Sequence, residues 1–287
     1  MREFLIANMA PVMFASMVLF LLVGFPVSFA LAANGIVFGL IGIELGLLGP
    51  QLFQALPDRI FGIMSNDTLL AIPFFTFMGL ILERSRMAED LLDTIGQLFG
   101  PLRGGLAFAV ICVGALLAAT TGVVAASVIS MGLISLPIML RYGYDRKLAA
   151  GVIAASGTLA QIIPPSLVLI IMADQLGKSV GDMYSGAFVP GLLLTGLYIV
   201  FVALVAIFLP GWVPALPRAA RSLSGGRLLL RVLTTLLPPL FLIFLVLGTI
   251  FLGIATPTEG GAMGATGALI MAVARRRLSW ELLRQAM

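Results

Sequence analysis

The stretch from Gly104 to Leu140 runs for 37 residues without one charged side chain. A straight helix of that length would extend about 55 Å, well beyond the roughly 30 Å hydrocarbon core of a bilayer. The segment must therefore fold back, and the polar, glycine-containing point near its middle is Thr120-Thr121-Gly122. Each limb is short for a full crossing. Basic residues flank both ends, Arg103 before it and Arg141, Arg146 and Lys147 after it, which puts the ends on one side of the membrane. A re-entrant helical hairpin with its tip near Thr121 satisfies both facts; two complete short crossings are the alternative.

A second constraint follows directly. The apolar run from about Leu148 to Met172 is long enough to cross, yet its centre reads Ser156-Gly157-Thr158-Leu159-Ala160-Gln161-Ile162-Ile163-Pro164-Pro165-Ser166. Each proline removes a backbone donor and clashes with the preceding turn. The helix is expected to break there, and irregular backbone at membrane depth survives only where protein covers it or it lines a polar cavity.

The remainder fits the same class. Hydrophobic residues make up 60% of the chain and charged residues 10%, and the mean hydropathy is +1.13. The expectation is an all-α polytopic membrane protein with about seven spans besides the hairpin. Spans are expected near 6–25, 27–47, 68–82, 186–209, 231–254 and 261–274, the first as a retained helix rather than a signal peptide. Pro73 is expected to kink the third. Residues 49–67 and 174–185 read as polar connections. Met87 to Phe99 repeats apolar residues at helical spacing, which suits a helix lying in the interface or one packed on the protein.

Composition also excludes. With no histidine and one cysteine, a histidine-based triad, a zinc site and a disulfide framework are ruled out. The basic residues fall in short clusters between apolar runs, so the high pI of 9.7 does not point to nucleic acid. With the N-terminus outside, 14 of the 17 Lys and Arg lie inside, leaving Arg2, Arg59 and Lys178 outside.

Hydroxyls and unwound carbonyls are hard oxygen ligands suited to Na⁺, and half-helix N-termini favour an anion. Small residues at Ser127, Ser130, Ser156 and Gly157 equally permit close helix packing, which is also the reading for Gly264 to Gly267. Glu259 reads as a cap for the helix that starts near Gly260.

Several motifs together resemble the large membrane subunit of the tripartite ATP-independent periplasmic (TRAP) transporters. They are Leu69-Leu70-Ala71-Ile72-Pro73-Phe74-Phe75, Arg141-Tyr142-Gly143-Tyr144-Asp145, Ala154-Ala155-Ser156-Gly157-Thr158-Leu159 with Ile162-Ile163-Pro164-Pro165-Ser166, and Thr256-Pro257-Thr258-Glu259. The resemblance implies an elevator-type secondary transporter rather than an enzyme, in the bacterial inner membrane, with a periplasmic N-terminus. It implies uptake of an organic acid anion (a C4-dicarboxylate, sialic acid or a similar carboxylate) coupled to Na⁺, with no other cofactor. The implied partners are a small four-helix membrane subunit and a periplasmic substrate-binding protein. Carried onto this chain, Na⁺ would be held by Thr120, Thr121, Ser156, Gly157 and Thr158. Substrate would meet Thr121, Gly122, Ser127, Pro164, Pro165 and Ser166. Residues 1–103 would be mostly scaffold, 104–175 the transport element, and 176–287 connecting spans and the start of a second, inverted repeat. Two departures stand out. Val123 replaces a hydroxyl residue in the family's Ser-Gly-Ser tip, and the family's second hairpin and second broken helix do not follow Glu259, so a C-terminally truncated chain is expected. The competing expectation is a non-transporting scaffold component.

Overall fold

The computed structural model describes residues 2–121, 124–217 and 225–287, without the side chains of residues 118–121 and 126. The chain forms two compact units, Met1–Asn66 and Asp67–Met287. Among the described residues all regular structure is helical, as a polytopic membrane protein requires. Four helices among the described residues are long and apolar enough to cross a bilayer: Arg2–Leu22, Val27–Glu44, Val180–Phe208 and Gly225–Phe251.

In the first unit, α1 (Arg2–Leu22) and α2 (Val27–Glu44) pair. A polar contact holds them together inside an apolar surround. The Ser16 hydroxyl donates to Asn34 Oδ1 at 2.6 Å, and Asn34 Nδ2 donates to the Met13 carbonyl at 3.1 Å. Such interhelical bonds contribute on the order of 0.6–2 kcal/mol in lipid. The expected connection 49–67 is not a plain loop. It forms two short helices, α3 (Gln51–Gln54) and α4 (Leu56–Met64).

The second unit begins with α5 (Ala71–Arg84). Pro73 is its third residue, where the amide has no intrahelical acceptor to lose, so the expected kink does not arise. Amphipathic α6 (Met87–Phe99) follows and buries Met87, Leu91, Leu92 and Ile95. Its apolar face is covered by protein, mainly by α7 (Gly105–Thr121) and α12 (Gly225–Phe251). Then come α8 (Val124–Arg141), α9 (Arg146–Thr158), α10 (Leu167–Leu176) and α11 (Val180–Phe208). The expected polar loop 174–185 shrinks to residues 177–179. Gly177 takes a left-handed φ of +62° and Lys178 N–H donates to the Ala173 carbonyl at 2.9 Å, so Asp174 and Asp182 sit on helix ends.

After α12, helix α13 (Pro257–Ala274) opens with a capping box. The Glu259 carboxylate accepts the Thr256 N–H at 2.8 Å while the Thr256 hydroxyl accepts the Glu259 N–H at 3.2 Å. Its glycines let neighbours approach closely. A Cβ on Gly261 would lie 3.0 Å from Phe74 Cβ, one on Gly264 2.6 Å from Met78 Sδ, and one on Gly267 2.3 Å from Leu242 Cδ1. The small-residue face is thus packing, against α5 on one side and α12 on the other. The last helix, α14 (Trp280–Ala286), packs on α5.

Replacing Gly261 by valine is expected to lower stability by about 1–3 kcal/mol through overpacking, read by thermal unfolding in detergent. The same exchange at Gly186, which has nothing within 4 Å of a built Cβ, should cost far less.

Candidate functional site

The site is built on two elements, the α7–α8 hairpin and the interrupted helix α9–α10. Asp145 starts α9: its carboxylate accepts the Lys147 N–H at 2.9 Å and the Leu148 N–H at 3.0 Å. The helix runs to Thr158, tightens into a 3₁₀ turn over Leu159–Gln161 and stops. Pro164 and Pro165 lack the amides that would have closed on the carbonyls of Ala160 and Gln161. The Ser166 hydroxyl takes over one of these, donating to the Gln161 carbonyl at 2.8 Å. The Leu159 carbonyl accepts both the Ile162 and Ile163 N–H groups, at 3.0 and 2.9 Å. The chain resumes as α10, whose first-turn amides receive no side-chain cap from Ser166.

The hairpin grips the first half of this element. A Cβ on Gly114 of α7 would stand 2.7 Å from Ser156 Cβ, and one on Gly157 would stand 2.2 Å from Val128 Cγ2 of α8. Leu159, Ala160 and Ile163 form a small buried cluster against which Ala115 of α7 and Val124, the first residue of α8, are packed. The far end of the hairpin therefore lies beside the break, whereas α10 packs on α11 and α5. A hairpin that reaches only the middle of a crossing helix is the re-entrant arrangement.

At its base the hairpin is tied to the loop before α9. The buried Tyr144 hydroxyl accepts the Leu106 N–H at 3.2 Å. Burial pushes this phenol up to about 12, against the lowering effect of that backbone bond.

The predicted residues fall into distinct positions. Ser156 is fully buried and donates to the Ile153 carbonyl at 2.9 Å. Pressed against Gly114, its oxygen faces protein. Thr158 is exposed, and its hydroxyl donates to the Ala155 carbonyl at 2.7 Å. With the proton spent inward, its oxygen lone pairs are left for a cation. Gly157 touches the α8 backbone, and Ser166 is fully buried. Pro164 is buried and Pro165 is buried beside it in the break. Ser127 is buried on α8. Ser130, on the same helix, donates to the Glu83 carboxylate of α5, a link that neither residue's local sequence announces. Gly122 and the side chains of Thr120 and Thr121 lie outside the described residues. The break and the first and second limbs are thus brought together. The chemistry on offer is a hydroxyl oxygen with outward lone pairs, turn carbonyls, and an uncapped half-helix N-terminus that favours negative charge.

Residues 14–287 match the family model described as the tripartite ATP-independent periplasmic transporter, DctM component. A C4-dicarboxylate TRAP transporter large permease protein of Pseudomonas aeruginosa is 34% identical over 229 residues, covering 79% of this chain and 52% of that protein. Its counterpart in Vibrio cholerae is 33% identical over 261 residues, covering 88% of this chain and 53% of that protein. An ectoine TRAP transporter large permease protein of Halomonas elongata is 29% identical over 256 residues, covering 88% of this chain and 57% of that protein. These relatives are named as permeases, not enzymes. The chain spans about half the length of the two C4-dicarboxylate relatives, 52% and 53%.

Two outcomes test the geometry. Gly157→Ala should destabilise by about 1–3 kcal/mol, and adding Val128→Ala, which removes the atom 2.2 Å from the new Cβ, should restore part of it. For Tyr144 the folded pKa lies above the unfolded value of about 10. Its contribution is therefore full below pH about 10 and is lost as pH climbs through 12. The stability difference between wild type and Tyr144→Phe should narrow across that window in alkaline unfolding curves.

Proposed function

Since the chain belongs to the DctM component family of the tripartite ATP-independent periplasmic transporters, we propose that it is the membrane-embedded permease part of a binding-protein-dependent secondary transporter. It takes up an organic acid anion, a C4-dicarboxylate, sialic acid or a similar carboxylate, in symport with Na⁺. The observation that carries this reading is the interruption at Leu159–Ser166 with the hairpin's far end packed beside it. Irregular backbone at membrane depth persists only where protein buries it or it lines a polar cavity, and in secondary transporters such broken helices form the ligand site.

Thr158 supplies the exposed hydroxyl oxygen for Na⁺, with the turn carbonyls around it. Ser156 and Gly157 hold the hairpin close, and Thr120, Thr121 and Gly122 contribute from the tip. The anion's carboxylate lies towards the uncapped start of α10, near Pro164, Pro165 and Ser166, with Ser127 on the hairpin side. Because hydroxyls and carbonyls carry no formal charge, a bound cation and a bound carboxylate offset each other, which couples the two ligands. A periplasmic binding protein delivers the solute and a small membrane subunit completes the permease. The protein resides in the bacterial inner membrane with its N-terminus in the periplasm, the orientation that puts 14 of its 17 basic residues inside.

Na⁺-dependent stabilisation of the purified chain, measured by thermal unfolding in NaCl against choline chloride, tests the ion site. Thr158→Val should weaken the apparent Na⁺ affinity about tenfold, the scale of one contact to a charged group. A chain that acts only as scaffold shows no Na⁺ effect, and unchanged affinity in the variant removes Thr158 from the site.

A further inference from the structure

Between α12 and α13 runs a groove whose character changes along its length. Its apolar part, about 640 Å³, is lined by Phe241, Leu242 and Leu245 of α12 and by Met263, Ile270 and Met271 of α13. One helical turn further on lies an open polar depression of about 400 Å³, lined by Arg231 and Thr234 of α12, Arg275 and Arg277 after α13, and Asp90 of α6. The two share no lining residue but lie end to end along the helices. Thr234 is four residues from Pro238 on α12, and Arg275 four residues from Met271, so each pair stacks on one helix face.

The polar end holds three guanidiniums against two carboxylates. Arg231 pairs with Asp93 at 2.9 Å, and Arg275 and Arg277 both pair with Asp90, at 3.3 and 2.8 Å. The excess is one positive charge, and Arg231 is the most open of the three, with 41% of its side chain exposed. It spends an N–H on Asp93 and has five to offer. The apolar part has one hydroxyl on it, Thr266, which donates to the Ala262 carbonyl at 2.8 Å and so presents no spare proton. From Pro238 to Leu245, and from Met271 back to Ala262, the groove spans about 10–14 Å at 1.5 Å per residue. That is close to the roughly 15 Å depth of one leaflet's hydrocarbon.

We propose that this groove is a binding site for an anionic phospholipid, with the phosphate at Arg231, Arg275 and Arg277 and one acyl chain along Phe241 to Leu245 and Met263 to Met271. Charge and shape select this occupant: a phosphodiester matches the guanidinium excess, a zwitterionic headgroup brings its own cation to it, and the trough has the polarity and length of a tail. The positive-inside tendency puts the arginine end at the cytoplasmic face, where anionic lipids meet basic pockets between helices. The site is separate from the interrupted helix, and its test is independent of Na⁺ or solute binding.

A thiol in the groove reads its occupancy. Thr266→Cys, in a Cys112→Ala background, is labelled with a maleimide in nanodiscs of phosphatidylcholine alone and of phosphatidylcholine with phosphatidylglycerol. Phosphatidylglycerol should slow labelling at least fivefold. Arg231→Gln should remove that difference, and Arg231→Lys should keep most of it. Equal labelling in both lipids overturns the proposal, as does a lipid difference that survives Arg231→Gln. Slow labelling already in delipidated detergent would mean that a protein segment or second copy fills the groove, which also overturns it.

Discussion

Inside an apolar layer a backbone amide or carbonyl has no water to turn to, so any interruption of a helix has to be satisfied by the protein. Pro164 and Pro165 create such an interruption, and most of the second unit can be understood as its support. Ser166 returns a donor to the Gln161 carbonyl, and the 3₁₀ turn doubles the use of the Leu159 carbonyl. The hairpin then seals the side of α9 through two glycine contacts, Gly114 on Ser156 and Gly157 on Val128. Widening either contact by a methyl group would push the hairpin away from the break.

Around this element stand stiffer parts. Helices α5 and α13 meet along a glycine face, and α13 continues that close approach to α12. Helix α6 is pinned to the same assembly by Asp90, which serves two arginines that follow α13. These pairs are part-exposed, so each contributes little alone. Their geometric effect is larger, because they fix the amphipathic helix, which packs on α7, to the segment after α13. The Ser130–Glu83 contact ties α5 to α8 of the hairpin.

What could be read from the sequence was what is local and covalent. A charge-free run too long for one crossing, a proline pair inside an apolar segment and a Thr-Pro-Thr-Glu start signal each dictate the backbone wherever they are placed. What covers a face is not local. The periodicity of Met87 to Phe99 names the buried side of α6 but does not distinguish lipid from protein as its cover. Asp174 is the segment-end residue its sequence suggests, whereas Asp182 reads as loop because polar side chains are as welcome on exposed helix ends as in loops; the left-handed Gly177 marks the turn. Likewise Ser156 and Thr158 share a motif two residues apart, yet one is sealed under Gly114 and the other is open. The rotation of about 100° per residue decides this, and its phase is set by the packing partner. The Ser16–Asn34 clamp was missed for the same reason, as neither residue signals the other 18 positions away.

The end of α5 has a consequence for how the protein is made. Its last carbonyls are not closed by neighbours alone: Arg277 donates to the carbonyls of Ser85 and Arg86 at 3.0 and 3.2 Å, across a separation of 192 and 191 residues. Arg86 itself takes a left-handed φ of 57°, a conformation that costs a non-glycine residue about 1–2 kcal/mol. On the ribosome α5 emerges and inserts long before Arg277 is synthesised. Until then the Ser85 carbonyl lacks this donor, while the Arg86 carbonyl keeps the Asp90 N–H at 3.3 Å. The turn between α5 and α6 is therefore completed by a residue that lies far along the chain.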